Sequence, residues 1–78
     1  MVKLKYVKVP VKGTSLFTFI VFNDLIQHSQ FKNHNPVSAG FVHFSQEKAE
    51  CFGKSISLGI ESSPLDSQEM TRQFFRKY

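Results

Sequence analysis

The chain has 78 residues, with ten Lys and Arg, six Asp and Glu, a net charge of +4 and a single cysteine. We expect one small α+β domain over residues 1–78, too small to form two lobes around a deep cleft. A lone cysteine excludes an internal disulfide, the longest apolar run is far shorter than the ~20 residues that cross a bilayer, and no signal-peptide pattern opens the chain. These features predict a cytoplasmic location without a membrane segment, and the positive charge favours anionic partners.

The first two predicted elements are strands. Residues 2–9 alternate apolar side chains with lysines, the period-two pattern of a half-exposed strand. Pro10 and Gly13 favour a turn after it. Residues 16–22, "LFTFIVF", are apolar on both faces and rich in aromatic and β-branched side chains, which indicates a central strand. A helix over residues 14–31 is the competing interpretation, and the polar pair that follows the apolar run argues against it.

A short helix is predicted next, over residues 25–31. Asp24 and Gln27 have the spacing of a capping box, in which an acidic side chain and an amide three residues later satisfy the first backbone donors. Asn35 tolerates a turn conformation, and Pro36 disfavours helix at the residue before it, so the helix should end there.

Residues 37–44 and 49–60 have the pattern of two strands joined by a turn at 45–48. If Phe44 faces Ala49 across this turn, the other cross-strand pairs follow, namely Phe41 with Phe52, Val37 with Ile56 and His43 with Glu50. One face of this hairpin carries mostly small residues around Gly40 and Gly53, which would allow another backbone to come close.

The last predicted element is a helix that begins at residues 63–66. A capping serine, a proline at the first helical position and an acidic residue at the third are three separate helix-start signals. One apolar stripe follows, made of Leu65, Met70, Phe74 and Tyr78. We expect this helix to pack on the sheet through Met70 and Phe74.

The predicted order is therefore ββαββα. Hairpins pair locally and both helices need a sheet to cover, so the expected fold is α+β, a four-stranded mostly antiparallel sheet with two helices packed on one face.

One stretch matches part of a known signature. Residues 40–44, "GFVHF", fit the second half of the RNP1 signature of RNA-recognition motifs. The three positions before them, Val37, Ser38 and Ala39, do not match, and the order of elements differs from that of the family. Packing of Phe41 in the core is therefore the favoured interpretation.

Other chemical motifs are incomplete. His28, His34, His43 and Cys51 lack the spacing of metal ligands, so neither a metal nor a cofactor is expected. Residues 53–55 end like a phosphate-binding P-loop, but the upstream glycine and the following helix are missing. Glu50 could orient the imidazole of His43 as a base, yet Cys51 should point to the opposite face, so we do not expect an enzyme.

The sequence thus favours a small basic interaction module. Its partner is expected to be another protein, or a second copy of itself, bound through a sheet edge or through the small-residue face around Gly40 and Gly53. The alternative is single-stranded nucleic-acid binding, in which aromatic side chains stack on bases beside lysines. The candidate partner-binding or nucleic-acid-binding residues are Lys3, Lys5, Phe41, His43, Phe44 and Lys54.

Overall fold

The computed structural model describes residues 4–75, and its main element is a four-stranded sheet. The strands of this sheet are β1 (Leu4–Pro10), β2 (Phe17–Asn23), β3 (Ser38–Ser45) and β4 (Lys48–Phe52). The other elements are a 3-10 helix (His28–His34), a small hairpin of β5 (Lys54–Ser55) and β6 (Ile60–Glu61), and helix α1 (Asp66–Phe74). The predicted α+β class, with a four-stranded antiparallel sheet and two helices, is confirmed.

The strands lie in the order β2-β1-β3-β4, and each neighbouring pair is antiparallel. The lysine-bearing β1 is therefore central, and β2 lies at an edge. The prediction of a strand at residues 16–22 is correct, but the prediction that it is central is wrong. After β2 the chain crosses one face of the sheet and returns as β3 on the far side of β1. Tyr6 and Val7 of β1 are both 0% exposed, as expected of a strand covered on both faces.

Each face of the sheet has its own cover. On the face of Tyr6, the side chains of Phe19, Val42 and Ala49 pack against Met70 of α1. On the opposite face, Val7, Val9, Phe22 and Ala39 form a second cluster, which is covered by Phe31 of the 3-10 helix and by Leu58 and Ile60 of the small hairpin. We call these the Tyr6 face and the Val7 face. The prediction that both helices pack on one face is wrong, because β1 buries alternate residues on both sides and each side needs a cover.

The β3–β4 hairpin has the predicted register. Phe44 pairs with Ala49, and the pairs of Phe41 with Phe52 and of His43 with Glu50 also form. The turn places Gln46 and Glu47 at φ 48° and 58°, the left-handed conformations of a two-residue turn whose twist matches the strands.

The predicted strand at residues 49–60 is interrupted at Gly53. This residue has φ 78°, a conformation that glycine adopts readily, and the chain leaves the sheet there to form β5 and β6. The carbonyl of Gly53 accepts a hydrogen bond from the Ser62 backbone N–H at 3.0 Å. The predicted pairing of Val37 with Ile56 therefore does not form.

The predicted helix at residues 25–31 is replaced by the 3-10 helix three residues later. The Asn23 side chain accepts a hydrogen bond from the Leu25 backbone N–H at 2.7 Å, so an Asn turn takes the place of the predicted capping box. The Asp24 carboxylate instead lies 3.9 Å from the Lys5 ammonium. The predicted stop is confirmed, since Asn35 adopts φ 55° directly after the 3-10 helix.

Helix α1 begins close to its predicted start. The Asp66 carboxylate accepts a hydrogen bond from the Ser63 backbone N–H at 2.9 Å, and the Ser63 hydroxyl accepts one from Leu65 at 3.4 Å. Met70 is fully buried, as predicted. Phe74 is half exposed and packs edge-on against Phe44 with ring centroids 5.9 Å apart. Tyr78, the predicted end of the stripe, lies outside the described residues.

Gly40 lies where another backbone segment of this chain comes close to β3. A Cβ at this position would lie 2.5 Å from the Phe52 carbonyl oxygen and 3.3 Å from that of Gly53. The close backbone contact expected at the small-residue face therefore comes from this chain itself.

Replacing Gly40 by alanine should lower the free energy of unfolding by about 1–3 kcal/mol. The added Cβ would clash with the backbone of Phe52 and Gly53, so either that segment or β3 must shift. Urea denaturation measures this change. Gly59→Ala is the control, since Gly59 has φ 70° with open space around its Cβ position and should lose only about 1 kcal/mol from backbone strain. Equal losses for the two variants would contradict a steric role for Gly40.

Candidate functional site

Three of the residues predicted to bind a partner come together on the Val7 face. Lys5 of β1, Phe41 of β3 and Lys54 of β5 line one shallow depression, with Gln27, His28, Ile56 and Ser57 around it. Lys3 lies outside the described residues. The small hairpin, which the sequence analysis did not predict, brings Lys54 to the other two residues.

The groups in this depression already have partners within the fold. The Lys5 ammonium donates to the Ile26 carbonyl at 3.1 Å. The Phe41 ring contacts the rings of His28 and Phe52, with centroids 5.8 and 6.0 Å apart. Lys54 is exposed. The depression therefore offers one accessible charge beside a partly buried aromatic ring.

His43 and Phe44 do not share a surface, because adjacent strand residues point to opposite faces. His43 lies opposite Glu50, beyond the depression. Phe44 lies on the Tyr6 face, where its ring contacts Phe74 and Phe75. The predicted set of binding residues is thus divided between the two faces.

His28 is a buried residue of the 3-10 helix. It is 5% exposed, its Nε2 donates to the Gly40 carbonyl at 2.9 Å, and its ring packs edge-on against Phe22 and Phe41. Within residues 4–75 no three His, Cys, Asp or Glu side chains are grouped as metal ligands would be. No helix in this part of the chain has the length and apolar character to cross a bilayer.

Positive charge is less concentrated than the whole sequence suggests. Residues 4–75 contain seven Lys and Arg and six Asp and Glu, so the other three positive charges belong to the ends of the chain. The Lys8 ammonium is bound by Glu69 at 2.6 Å, and Lys5 lies near Asp24. The described surface is therefore close to neutral, which weakens the case for a phosphate-binding face.

Helix α1 closes the β4 edge of the sheet. The Thr71 hydroxyl accepts from the Ala49 backbone N–H at 2.8 Å, and the Ser67 hydroxyl accepts from the Cys51 N–H at 2.8 Å. Both hydroxyls also lie near the carbonyl of the same strand residue, at 3.3 and 3.5 Å. These side chains hold the edge groups that another strand would need.

Among residues 4–75, side-chain hydrogen bonds to the backbone of the β2 edge are found at one residue, Phe19. The Gln73 side-chain amide accepts from the Phe19 backbone N–H at 3.2 Å and donates to the Phe19 carbonyl at 3.3 Å. These are the two bonds that a neighbouring antiparallel strand would make. The backbone N–H and C=O of Phe19 thus point away from β1. Because these groups alternate in direction along an antiparallel strand, those of Phe17 and Val21 also point away from β1.

The composition of β2 does not match its position. Its seven residues, "FTFIVFN", include no charged residue and no proline, whereas natural edge strands are usually blocked by such residues. The sequence did contain a signal for this site, because an uncharged strand that is apolar on both faces is typical of a central strand with a neighbouring strand on each side. Its position at the edge could not be predicted, because strand order depends on long-range pairing.

A groove runs beside the β2 edge on the Tyr6 face. It has a volume of about 740 Å³ and is lined by Lys8, Ser15, Leu16, Phe17, Phe19, Glu69, Arg72 and Gln73. Phe17 is 50% exposed, and the Lys8 ammonium lies 5.2 Å from the centre of its ring. Glu69 neutralises Lys8, so Arg72 leaves the groove with a net positive charge.

Under α1, a buried polar cluster anchors the helix to the sheet. The Tyr6 hydroxyl donates to the fully buried Asp66 carboxylate at 2.5 Å, and Cys51 lies beside them. Burial, and then the Asp66 charge, raise the pKa of the Cys51 thiol to about 11 and also raise the pKa of the Tyr6 hydroxyl above its usual range. The thiol is therefore neutral near pH 7 and is a poor nucleophile in the folded protein.

Comparison of the chain with protein-family models, with curated proteins and with solved structures finds no match. We therefore base the functional proposal on the geometry of residues 4–75.

The free energy of unfolding should fall as the pH rises from about 9 to 11. In this range the unfolded chain loses the Cys51 proton while the folded chain keeps it, so deprotonation favours the unfolded state. Urea denaturation at several pH values measures the slope. The slope should be smaller in Cys51→Ala, with the remainder due to Tyr6, and equal slopes would show that Cys51 ionises normally in the fold.

Proposed function

We propose that this protein is a small interaction module that binds a strand of another protein along the β2 edge and so extends its sheet. The observation that carries the proposal is the position of β2. A seven-residue strand with no charge and apolar side chains on both faces lies at the edge of the sheet. Exposed apolar edge strands readily pair with other chains.

Binding by strand addition uses two kinds of contact. Backbone hydrogen bonds along the edge provide affinity, and pockets for alternate side chains provide specificity. Here the outward backbone groups of Phe17, Phe19 and Val21 would supply the first. The groove beside Phe17 would supply the second, with apolar walls and the Arg72 guanidinium at its side.

Gln73 fits the role of a replaceable cover for this edge. Its side chain is exposed and bonds Phe19 at distances longer than 3 Å, whereas the hydroxyls on the β4 edge receive bonds at 2.8 Å. An incoming strand could take over both Phe19 bonds without breaking a core contact. The difference between the two edges supports binding at β2 rather than at β4.

The other surfaces named by the sequence offer less. This chain's own backbone at Phe52 and Gly53 occupies the space above Gly40. Ile56 is 86% exposed and lies near Val37, but the strand beside it, β5, has only two residues. We keep the expectation of a cytoplasmic protein as part of this proposal.

Replacing Thr18 by lysine should weaken partner binding about ten-fold or more. Thr18 is the second residue of the edge strand, where a charge hinders strand addition. A loss of about 1.4 kcal/mol corresponds to a ten-fold loss of affinity. To measure this, the wild type and each variant are immobilised and incubated with lysate, and bound proteins are cross-linked to them. Mass spectrometry then compares the amount of each retained protein.

Ile56→Lys is the matched control, because it places the same charge on an exposed apolar residue away from the edge. Proteins lost with Thr18→Lys and kept with Ile56→Lys would support the β2 edge. The opposite pattern would move the binding surface to Ile56, and identical retention by all three proteins would remove the proposal.

Single-stranded nucleic-acid binding is the second candidate function. It is favoured by one observation, the convergence of Lys5, Phe41 and Lys54 in one depression. A base could stack near Phe41 while Lys54 contacts a phosphate, a combination that tolerates many sequences.

This alternative predicts that a mixed single-stranded DNA and RNA pool binds with an affinity that falls steeply with salt, measured by fluorescence anisotropy. Lys54→Ala should weaken binding and reduce the salt slope by about one. Lys48→Ala removes an exposed lysine at the far turn of the β3–β4 hairpin and is the control. Absent or salt-insensitive binding would exclude this function.

A further inference from the structure

We infer that the strand bound at the β2 edge is β2 of a second copy of this chain, so that two sheets join into one across a two-fold axis. The inference rests on the proposed function and names its partner. A two-fold interface uses the same surface on both copies, and an antiparallel strand pair is compatible with that symmetry.

The charge of β2 favours a second copy over a charged strand. Because β2 carries no charged side chain, two copies can pair without like charges opposite one another. A strongly acidic or basic strand would lose hydration and find no opposite charge on β2. An apolar, uncharged strand is the best match, and this chain contains such a strand.

The outward backbone groups define the register. The backbone N–H and C=O groups that point away from β1 are those of Phe17, Phe19, Val21 and Asn23. Hydrogen-bonded pairs between two copies must therefore join residues of this set. Overlap of the full strand pairs Phe19 with Val21 of the second copy and Phe17 with Asn23 of the second copy. Ile20 then lies on the two-fold axis, opposite its own copy, in a non-hydrogen-bonded pair.

This register also brings side chains of the two copies together beside the groove. Val21 and Asn23 of the second copy lie on the Tyr6 face, next to Phe19 and Phe17 at the groove wall. Asp24, which follows Asn23, turns to the Val7 face, where its carboxylate lies 3.9 Å from the Lys5 ammonium of its own chain. The second copy therefore presents uncharged β2 side chains to the groove, and the two-fold axis repeats these contacts.

On the Val7 face the same register pairs Thr18 with Phe22 of the second copy, on either side of the central Ile20 pair. Ile20 and Phe22 belong to the apolar cluster of this face. The cluster of each copy would therefore continue into that of the other. Both faces of the joined sheet therefore gain apolar contacts. This agrees with the composition of β2, which is that of a strand with a neighbouring strand on each side.

The first test is the mass of the full chain in solution across a concentration series, measured by light scattering after size-exclusion chromatography. The wild type should reach twice the 9.0 kDa of one chain as concentration rises. Thr18→Lys should remain at the mass of one chain at concentrations at least ten-fold higher, and Ile56→Lys should behave as the wild type. Circular dichroism confirms that each variant is folded.

The second test fixes the register by disulfide formation. In a Cys51→Ala background, Ile20→Cys should oxidise to a covalent dimer, because opposed residues in a non-hydrogen-bonded pair have Cα atoms about 4.5 Å apart, within disulfide range. Thr18→Cys is the matched control, since its copy would be about 13 Å away along the strands. It should stay largely monomeric under the same oxidation.

The outcomes separate this inference from the proposed function. A concentration-dependent dimer that Thr18→Lys abolishes and Ile20→Cys traps supports the inference. A wild type that stays monomeric, a dimer unaffected by Thr18→Lys, or trapping by Thr18→Cys instead of Ile20→Cys overturns it. If the protein is monomeric but Thr18→Lys still loses lysate partners that Ile56→Lys keeps, the proposed function stands with a different occupant; if both results are negative, both fail.

Discussion

The hydrogen bond between Tyr6 and Asp66 sets the position of α1, and the state of both sheet edges depends on it. Tyr6 lies in the central strand and Asp66 at the start of the helix, and both are fully buried. The same carboxylate accepts the Ser63 backbone N–H, so it fixes where the helix begins as well as where it rests. A buried carboxylate is costly without such partners, and a helix that slid or rotated would lose both of them.

Once α1 is fixed there, helical periodicity determines what reaches each edge. Met70, four residues after Asp66, points into the core, while Ser67 and Thr71 reach the β4 edge. Gln73 lies on the other side of the helix and reaches β2. The asymmetry follows from side-chain chemistry. Two short, partly buried hydroxyls hold one edge, whereas a single long and exposed amide holds the other, so the edges differ in how easily a new strand could replace the cover.

The parts of the fold that the sequence predicted depend on local interactions. The register of the β3–β4 hairpin follows from its two-residue turn, and the start of α1 from the residues around Ser63. Non-local features were not predictable in this way. The position of β2, the covering of both faces and the burial of His28 all depend on β3 returning along the far side of β1. The lysine pattern of β1 suggested exposure, yet Lys5 and Lys8 lie largely covered, with their ammonium groups bound to Ile26 and Glu69. For the candidate site, Lys5, Phe41 and Lys54 lie in one depression, and their role in binding stays a prediction. The β2 edge was indicated in the sequence only by the uncharged, apolar composition of the strand.

The contrast between β1 and β2 is the strongest indication of function in this molecule. Charged residues usually protect edge strands and apolar residues fill central ones, but here the central strand carries the lysines and the edge strand carries none. The lysines of β1 are tolerated because each ammonium group has a partner, whereas β2 pairs with β1 on one side and lies at the edge of the sheet on the other. Hydrogen bonds and packing within the chain thus compensate the first departure from the usual pattern, and in the proposal above a bound strand compensates the second. A strand whose composition suits the interior of a sheet therefore lies at its edge, and this is the reason for proposing that a partner strand pairs with it there.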